Sequence, residues 1–358
     1  MPSLKEIKGR INSISSTLAI TSAMKMVAAA KLQKAQMAIQ NMLPYERRLH
    51  SMLIDLMGAM NISAAASEDG SVRGSGSAER GFDQSGDRLS LSNRHDLAGM
   101  DGAYSLMAQR EVRKVAIVAF ASNSSLCGAF NSNVIREATA VINEYRASGL
   151  RDSDIVVYSV GRKMAEAMRK LGFPSPADFT KMSDSPSYEA ASALAQELLD
   201  GFVSGRFDKV ELVYNHYKST SSQPTTRQTY LPLSLADATA DLQAGKIADS
   251  ASESDTNRGA EPVGAPVVRQ GSPTTEDLIV EPSKETLIAT LLPKVIRLRI
   301  FTTLLDSAAA EHAARTVAMQ LATDNGNDLL QELTLEYNKG RQQKITSEIL
   351  DLVGGSMQ

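Results

Sequence analysis

Tryptophan is absent from the 358 residues, and aromatics make up only 5% of them. That argues against an aromatic-rich sheet core, and the plentiful Ala and Met favour long helices. There is one cysteine, Cys127, which excludes an internal disulfide and a thiolate metal cluster within one chain and fits a reducing compartment. The four histidines (His50, His95, His216 and His312) show no zinc-site spacing, so no metal is expected. No uncharged apolar stretch approaches the roughly 18 residues of a membrane span, so any membrane contact runs through partners. Lys5, Lys8 and Arg10 precede INSISSTLAITSAM, but Ser, Thr and Asn fill that stretch and helical periodicity crosses it, which sets aside a secretory leader.

The N-terminal segment carries the clearest pattern. Alternating steps of three and four residues from Leu4 meet Ile7, Ile11, Ile14, Leu18, Thr21, Lys25, Ala28, Leu32, Ala35, Ile39, Met42, Glu46, Leu49, Leu53, Leu56 and Met60. Only Thr21, Lys25 and Glu46 break the apolar seam, and a 3.5-residue period belongs to a helix wound on another helix. Such a helix is on the order of 85 Å long. Pro44 is expected to kink or interrupt it.

Composition then changes abruptly. Residues 64–96 are rich in Gly, Ser and charge and read as an insertion that is not a packed element. From 111 to 236, VRKVAIVAF, DIVVYSV, KVELVYN and RQTYLPL read as strands. Helical patterns from about Asn131 to Ala147, in RKMAEAMRKLG and in SYEAASALAQELLDGF lie between them, which predicts a small α/β domain with a largely parallel sheet. Across 237–281 nine acidic residues face three basic ones, a second flexible tract. From Ser283, a plausible N-cap, to about Val353 the chain is helical again, with Pro293 expected to kink its opening turns. Gly326 and Gly340 each cost that helix about 1 kcal/mol, so it must lean on a partner. The predicted division is an N-terminal coiled-coil helix (1–62), an insertion and connector (63–110), a Rossmann-like α/β domain (111–236), an acidic insertion (237–281) and a C-terminal coiled-coil helix (282–358). The two terminal helices form a long antiparallel coiled coil with the α/β domain looped out between them.

An α/β block invites a nucleotide site, but the sequence has no GxxxxGK[ST] and no GxGxxG at a strand end. Gly161 in SVGRKMAEAM reads as an ordinary strand-to-helix turn. Cys127, with no activating His or acid placed by motif, reads as a small residue packed behind the sheet. Tyr214, Asn215, His216 and Tyr217 form either a binding patch or a strand end leading into a polar loop. Residues 1–50 hold eight basic and two acidic residues, which points to an acidic partner surface; the overall charge of −3 and the scarcity of aromatics argue against nucleic acid.

LKEIKGRINSISSTLAITSAMKMVAAAKLQKAQ (4–36) resembles the opening helix of the gamma subunits of rotary ATP synthases. EHAARTVAMQLATDNGNDLLQELTLEYNKGRQQKITSEILDLVGG (311–355) resembles the closing helix, and VAIVAF, LCGAFN and QPTTRQTYLPL agree with the middle. The resemblance implies a non-catalytic shaft without cofactors, standing in a ring of three alpha and three beta subunits, its α/β domain resting with the epsilon subunit on a membrane c-ring. It further implies a peripheral place on the cytoplasmic face of a bacterial inner membrane, to which the lack of a transit-like start also points. Met24, Lys25 and Met26 match the stretch that passes acidic levers of beta. Arg341, Gln342, Thr346 and Glu348 match a polar patch engaging alpha and beta loops, and Ile345, Ile349, Leu352 and Val353 an apolar tip seated in the ring's sleeve. Asn123, Ser124 and Ser125 depart from the family's Asp-Arg-Gly before the Leu-Cys-Gly turn. The acidic tract falls where photosynthetic relatives carry a redox-regulated insertion, but without cysteine it is limited to a steric or electrostatic brake. Two other readings are a static coiled-coil adaptor and a small-molecule α/β enzyme.

Overall fold

The computed structural model describes residues 3–68, 106, 110–233 and 283–356. The Gly/Ser-rich tract from 69 onward and the acidic tract 237–281 lie outside these residues.

Two helices dominate, α1 (Leu4–Glu68) and the last helix of the chain, α6 (Lys284–Ser356). At 1.5 Å per residue they are on the order of 100 and 110 Å long. Ser3 opens α1, its Oγ accepting from the Glu6 amide at 3.2 Å. Ser283 caps α6 in the same way through the Thr286 amide, also at 3.2 Å. Neither Pro44 nor Pro293 interrupts its helix. Each removes one donor, and packing on the partner holds the turns on both sides. Helix α1 also runs five residues into the tract expected to be unstructured from 64, because Ala64, Ala65 and Ala66 are the strongest helix formers even where the apolar period has ended.

The helices pack antiparallel along the predicted seam, burying Ile7, Ala28, Leu32, Leu49, Leu53 and Leu56. Each of the three polar breaks in the seam finds a polar partner on α6. Thr21 Oγ1 meets Thr323 Oγ1 at 3.2 Å, Lys25 Nζ donates to Gln320 Oε1 at 2.6 Å, and Glu46 Oε1 accepts from Thr302 Oγ1 at 3.2 Å. Unsatisfied groups in a helix interface cost stability in every wrong alignment, so these pairs favour one register. The glycines share it: a Cβ on Gly326 would lie 2.6 Å from Leu18 Cδ2, and one on Gly340 3.1 Å from Leu4 Cδ2. Close approach to the two leucines offsets the helix cost of both glycines.

Four strands form the sheet, β1 (Val115–Phe120), β2 (Ile155–Val160), β3 (Lys209–Asn215) and β4 (Thr225–Leu231), in the order β2-β1-β3-β4. β1 pairs in parallel with β2 and β3, while β4 lies antiparallel on β3 at the edge. Between them come α2 (Phe130–Ala147), α3 (Arg162–Lys170), the short α4 (Thr180–Asp184) and α5 (Tyr188–Val203). Alternation along β1 sends Val115, Ile117 and Ala119 toward α2 and α3, and Ala116, Val118 and Phe120 toward α5 and α6. Helix α6 is thus both half of the coil and a cover for one face of the sheet, through Leu292, Val295, Ile296, Ile300 and Leu304.

The turn at Gly161 is tight. Its φ is +96°, and a Cβ there would sit 2.0 Å from the Ala121 carbonyl oxygen, so the chain's own backbone fills the space. On the far face Glu211, almost wholly buried, accepts from Tyr145 Oη (2.6 Å), Lys209 Nζ (2.7 Å) and Arg227 Nε (2.7 Å). Burial alone would raise its carboxyl, but hydrogen bonds from Arg227, Lys209 and Tyr145 outweigh that and hold it below the usual range.

Candidate functional site

Because Leu4 lies against Gly340, α6 from Arg341 onward runs past the first residue of α1. Sixteen residues at helical rise reach about 24 Å beyond it. Arg341, Gln342, Ile345, Thr346, Glu348, Ile349, Leu352 and Val353 are all exposed. Ile345, Ile349, Leu352 and Val353 recur at helical spacing and form a stripe, with Leu352 at 75% exposure. Leu350, 64% exposed, extends the apolar surface and was not singled out in the sequence. Thr346 Oγ1 returns to the Gln342 carbonyl at 2.9 Å, and Glu348 meets Lys344 only at 3.9 Å with both exposed, a pairing worth little. An exposed apolar stripe flanked by charge on a projecting helix is the kind of surface that marks interaction sites.

The side chains of the second predicted stretch differ in exposure. Met26 faces outward at 62% exposure, Met24 is half-buried, and Lys25 is committed to Gln320. Gln320 Nε2 in turn donates to Asp324 at 2.8 and 2.9 Å, so a polar chain crosses the coil at this level. Exposed Ile20 and Val27 on α1 and Leu321 on α6 add to the apolar outer surface there. Lying off the seam, they belong to no repeating apolar pattern in the sequence.

Beside Met24 a cleft of about 310 Å³ opens between coil and domain, lined by Ala23, Val27, Lys31, Asp184, His312 and Arg315 among others. Burial, aided by Lys31 and Arg315, pushes the His312 imidazole down to about 4, which keeps it neutral. Arg315 donates to the Ser125 carbonyl (2.6 Å), Ser124 Oγ (2.8 Å) and Glu311 Oε1 (2.6 Å), so the turn that departs from the family pattern is held by α6. Cys127 is buried beside Phe130 and Ala310, a packed residue as expected. The 214–217 segment is used internally: Asp306 takes His216 Nδ1 at 2.6 Å and the Tyr217 amide at 2.9 Å, and Tyr217 Oη accepts from Gln36 at 2.6 Å. Among the described residues no group of side chains is placed to hold a metal, and no helix is long and apolar enough to cross a membrane.

The Asp306 hydrogen bond raises the His216 pKa above its ordinary 6.5. A raised folded-state value gives stability that is complete below about 6.5 and is lost as pH rises through the raised value. The gap in thermal midpoint between the native chain and Asp306→Asn is therefore expected to narrow from pH 6 to pH 9. A gap independent of pH would assign the pair no charge.

The family model described as ATP synthase matches residues 3–357. The chain is 46% identical over 357 residues to the ATP synthase gamma chain of Phocaeicola vulgatus and 45% identical over 358 residues to that of Bacteroides thetaiotaomicron, covering 100% of each chain in both cases. The chain belongs to the ATP synthase gamma chain family. Its fold is that of a chain in the Euglena gracilis mitochondrial ATP synthase (OSCP/F1/c-ring, rotational state 3), with TM-score 0.52 and 19% identity over 99% of this chain and 93% of that one.

Proposed function

We propose that this chain is the central shaft of a rotary ATP synthase, coupling ion flow through a membrane c-ring to ATP synthesis and hydrolysis on three beta subunits alternating with three alpha subunits. The observation that carries this reading is the overhang of α6, a bare helix with an apolar stripe and a polar collar standing at one end of a coil that holds a domain on its side. The tip, Ile345, Ile349, Leu352 and Val353, turns within an apolar sleeve where non-directional contacts offer little resistance. Arg341, Gln342, Thr346 and Glu348 form bonds that make and break as the shaft turns. Met24 and Met26, with Lys25 restrained by Gln320, pass the acidic levers of beta. A shaft without rotational symmetry presents different contacts to three identical catalytic subunits, and differential contact free energy is what shifts each between states of different nucleotide affinity.

The chemistry in this reading belongs to the beta subunits, and the chain itself is non-catalytic. The α/β domain, with the epsilon subunit, rests on the c-ring at the cytoplasmic face of the inner membrane, so the chain is peripheral there. Reconstitution with the matching alpha and beta subunits tests the assignment. Hydrolysis that rises when the chain joins a stable complex is the expected result; association without effect on turnover would favour a static adaptor.

A further inference from the structure

A shaft must pass torque between the domain at its side and the coil that meets the catalytic ring, and most of the joint between them is made on α6, with Tyr217 also reaching Gln36 on α1. Near the start of α6, Tyr230 Oη donates to the Ile296 carbonyl at 2.8 Å and Arg297 donates to Gln196 Oε1 at 2.5 Å. Farther along the helix two polar clamps hold exposed loops of the domain. Asp306 takes the 216–217 loop through His216 Nδ1 and the Tyr217 amide, and Arg315 takes the 124–125 turn through the Ser125 carbonyl and Ser124 Oγ. Glu311, at 2.6 Å from Arg315, holds the guanidinium in place from the preceding turn of α6. Nine residues separate the clamps along the sequence, about two and a half helical turns, so they leave α6 on opposite faces some 13 Å apart. Beside them the 126–130 turn lies on α6, with Cys127 and Phe130 packed on Ala310 and Gly128 close to Ala318.

This arrangement is that of a couple. Twisting the domain about the α6 axis displaces two attachments on opposite faces in opposite directions, so both resist. Apolar contacts around the helix are non-directional and slide at small cost, whereas hydrogen bonds to charged groups are directional and resist shear. We infer that Asp306 and Arg315 are torque-transmitting residues of the shaft, gripping two loops of the domain from opposite faces of α6. They are positioning residues, touching neither nucleotide nor ion, and the inference rests on the shaft reading above.

The test uses the complete synthase in sealed vesicles and reads ATP hydrolysis and ATP-driven ion transport together. Asp306→Ala with Arg315→Gln is expected to keep hydrolysis within about twofold while transport per ATP falls by roughly threefold or more, exceeding the sum of the single variants because the clamps act as a pair. A lock makes the readout specific to the joint. A Cβ on Gly128 would lie 3.8 Å from Ala318 Cβ, the separation a disulfide spans. Gly128→Cys with Ala318→Cys, in a Cys127→Ala background carrying both clamp substitutions, should restore transport when oxidised and lose it on reduction. If the double variant assembles poorly, oxidation before assembly supplies the complex, and transport that survives later reduction overturns the inference. Equal coupling in the native and double-variant complexes also overturns it. A native complex whose hydrolysis ignores this chain would instead refute the shaft reading, so the two failures are distinct.

Discussion

Removing residues 341–358 is expected to lower ATP synthesis by the assembled complex about tenfold, the consequence of losing some 1.4 kcal/mol of differential contact, while the unfolding midpoint of the free chain stays where it was. The two halves of that result have different causes. From Arg341 onward α6 has passed the first residue of α1, and the described side chains there are exposed, so the fold loses little when they go. What goes is the exposed apolar stripe and the collar of Arg341 and Gln342, the surfaces that the shaft reading assigns to partner contact. Arg341→Ala with Gln342→Ala should show the same separation in milder form. A truncated chain that unfolds at lower temperature would move these residues from partner contact to coil stability.

The second large effect lies in the domain. Glu211→Ala is expected to destabilise the chain by about 3 kcal/mol in urea unfolding, the scale for breaking a buried ion pair by removing one partner. The carboxylate is buried and receives Tyr145, Lys209 and Arg227; without it three donors face a space that water reaches poorly. Arg227 also bonds Glu144, so its own loss is partly cushioned. Because the folded pKa of Glu211 is depressed below its ordinary 4.5, its contribution is present above that pH and is lost as pH falls through the depressed value. A loss of stability no larger than that of an exposed Glu→Ala change would show the network to be ornamental.

These particulars also show what the sequence made legible. The coil was readable because its signal repeats: a seam sustained over seventeen positions is hard to produce by chance, and the register pairs later filled its three gaps. Strands β1 and β2 were readable as short apolar runs, and the parallel core followed from the helices between the strands. The reach of α1 to Glu68 was not readable from apolar period, because alanines carry helix propensity without a hydrophobic face. Glu211 was hidden too. Within KVELVYN a lone acid looks solvent-facing, and only the antiparallel edge strand, which brings Arg227 beside it, turns that position into a buried network. The joint at Asp306 and Arg315 left no local pattern at all, since its partners lie about 90 and 190 residues away along the chain. The projecting tip was legible through family resemblance, whereas its exposure follows only from where Leu4 ends the coil.

The central claim is that this chain turns. Its most direct test is single-molecule observation of the complex with alpha and beta subunits fixed to a surface and a probe on an exposed position of the α/β domain, such as Ser153. Stepwise rotation in one direction, dependent on ATP and strongly impaired by the 341–358 truncation, is the predicted result. ATP hydrolysis at full rate with the probe stationary, or swinging without direction, would contradict it.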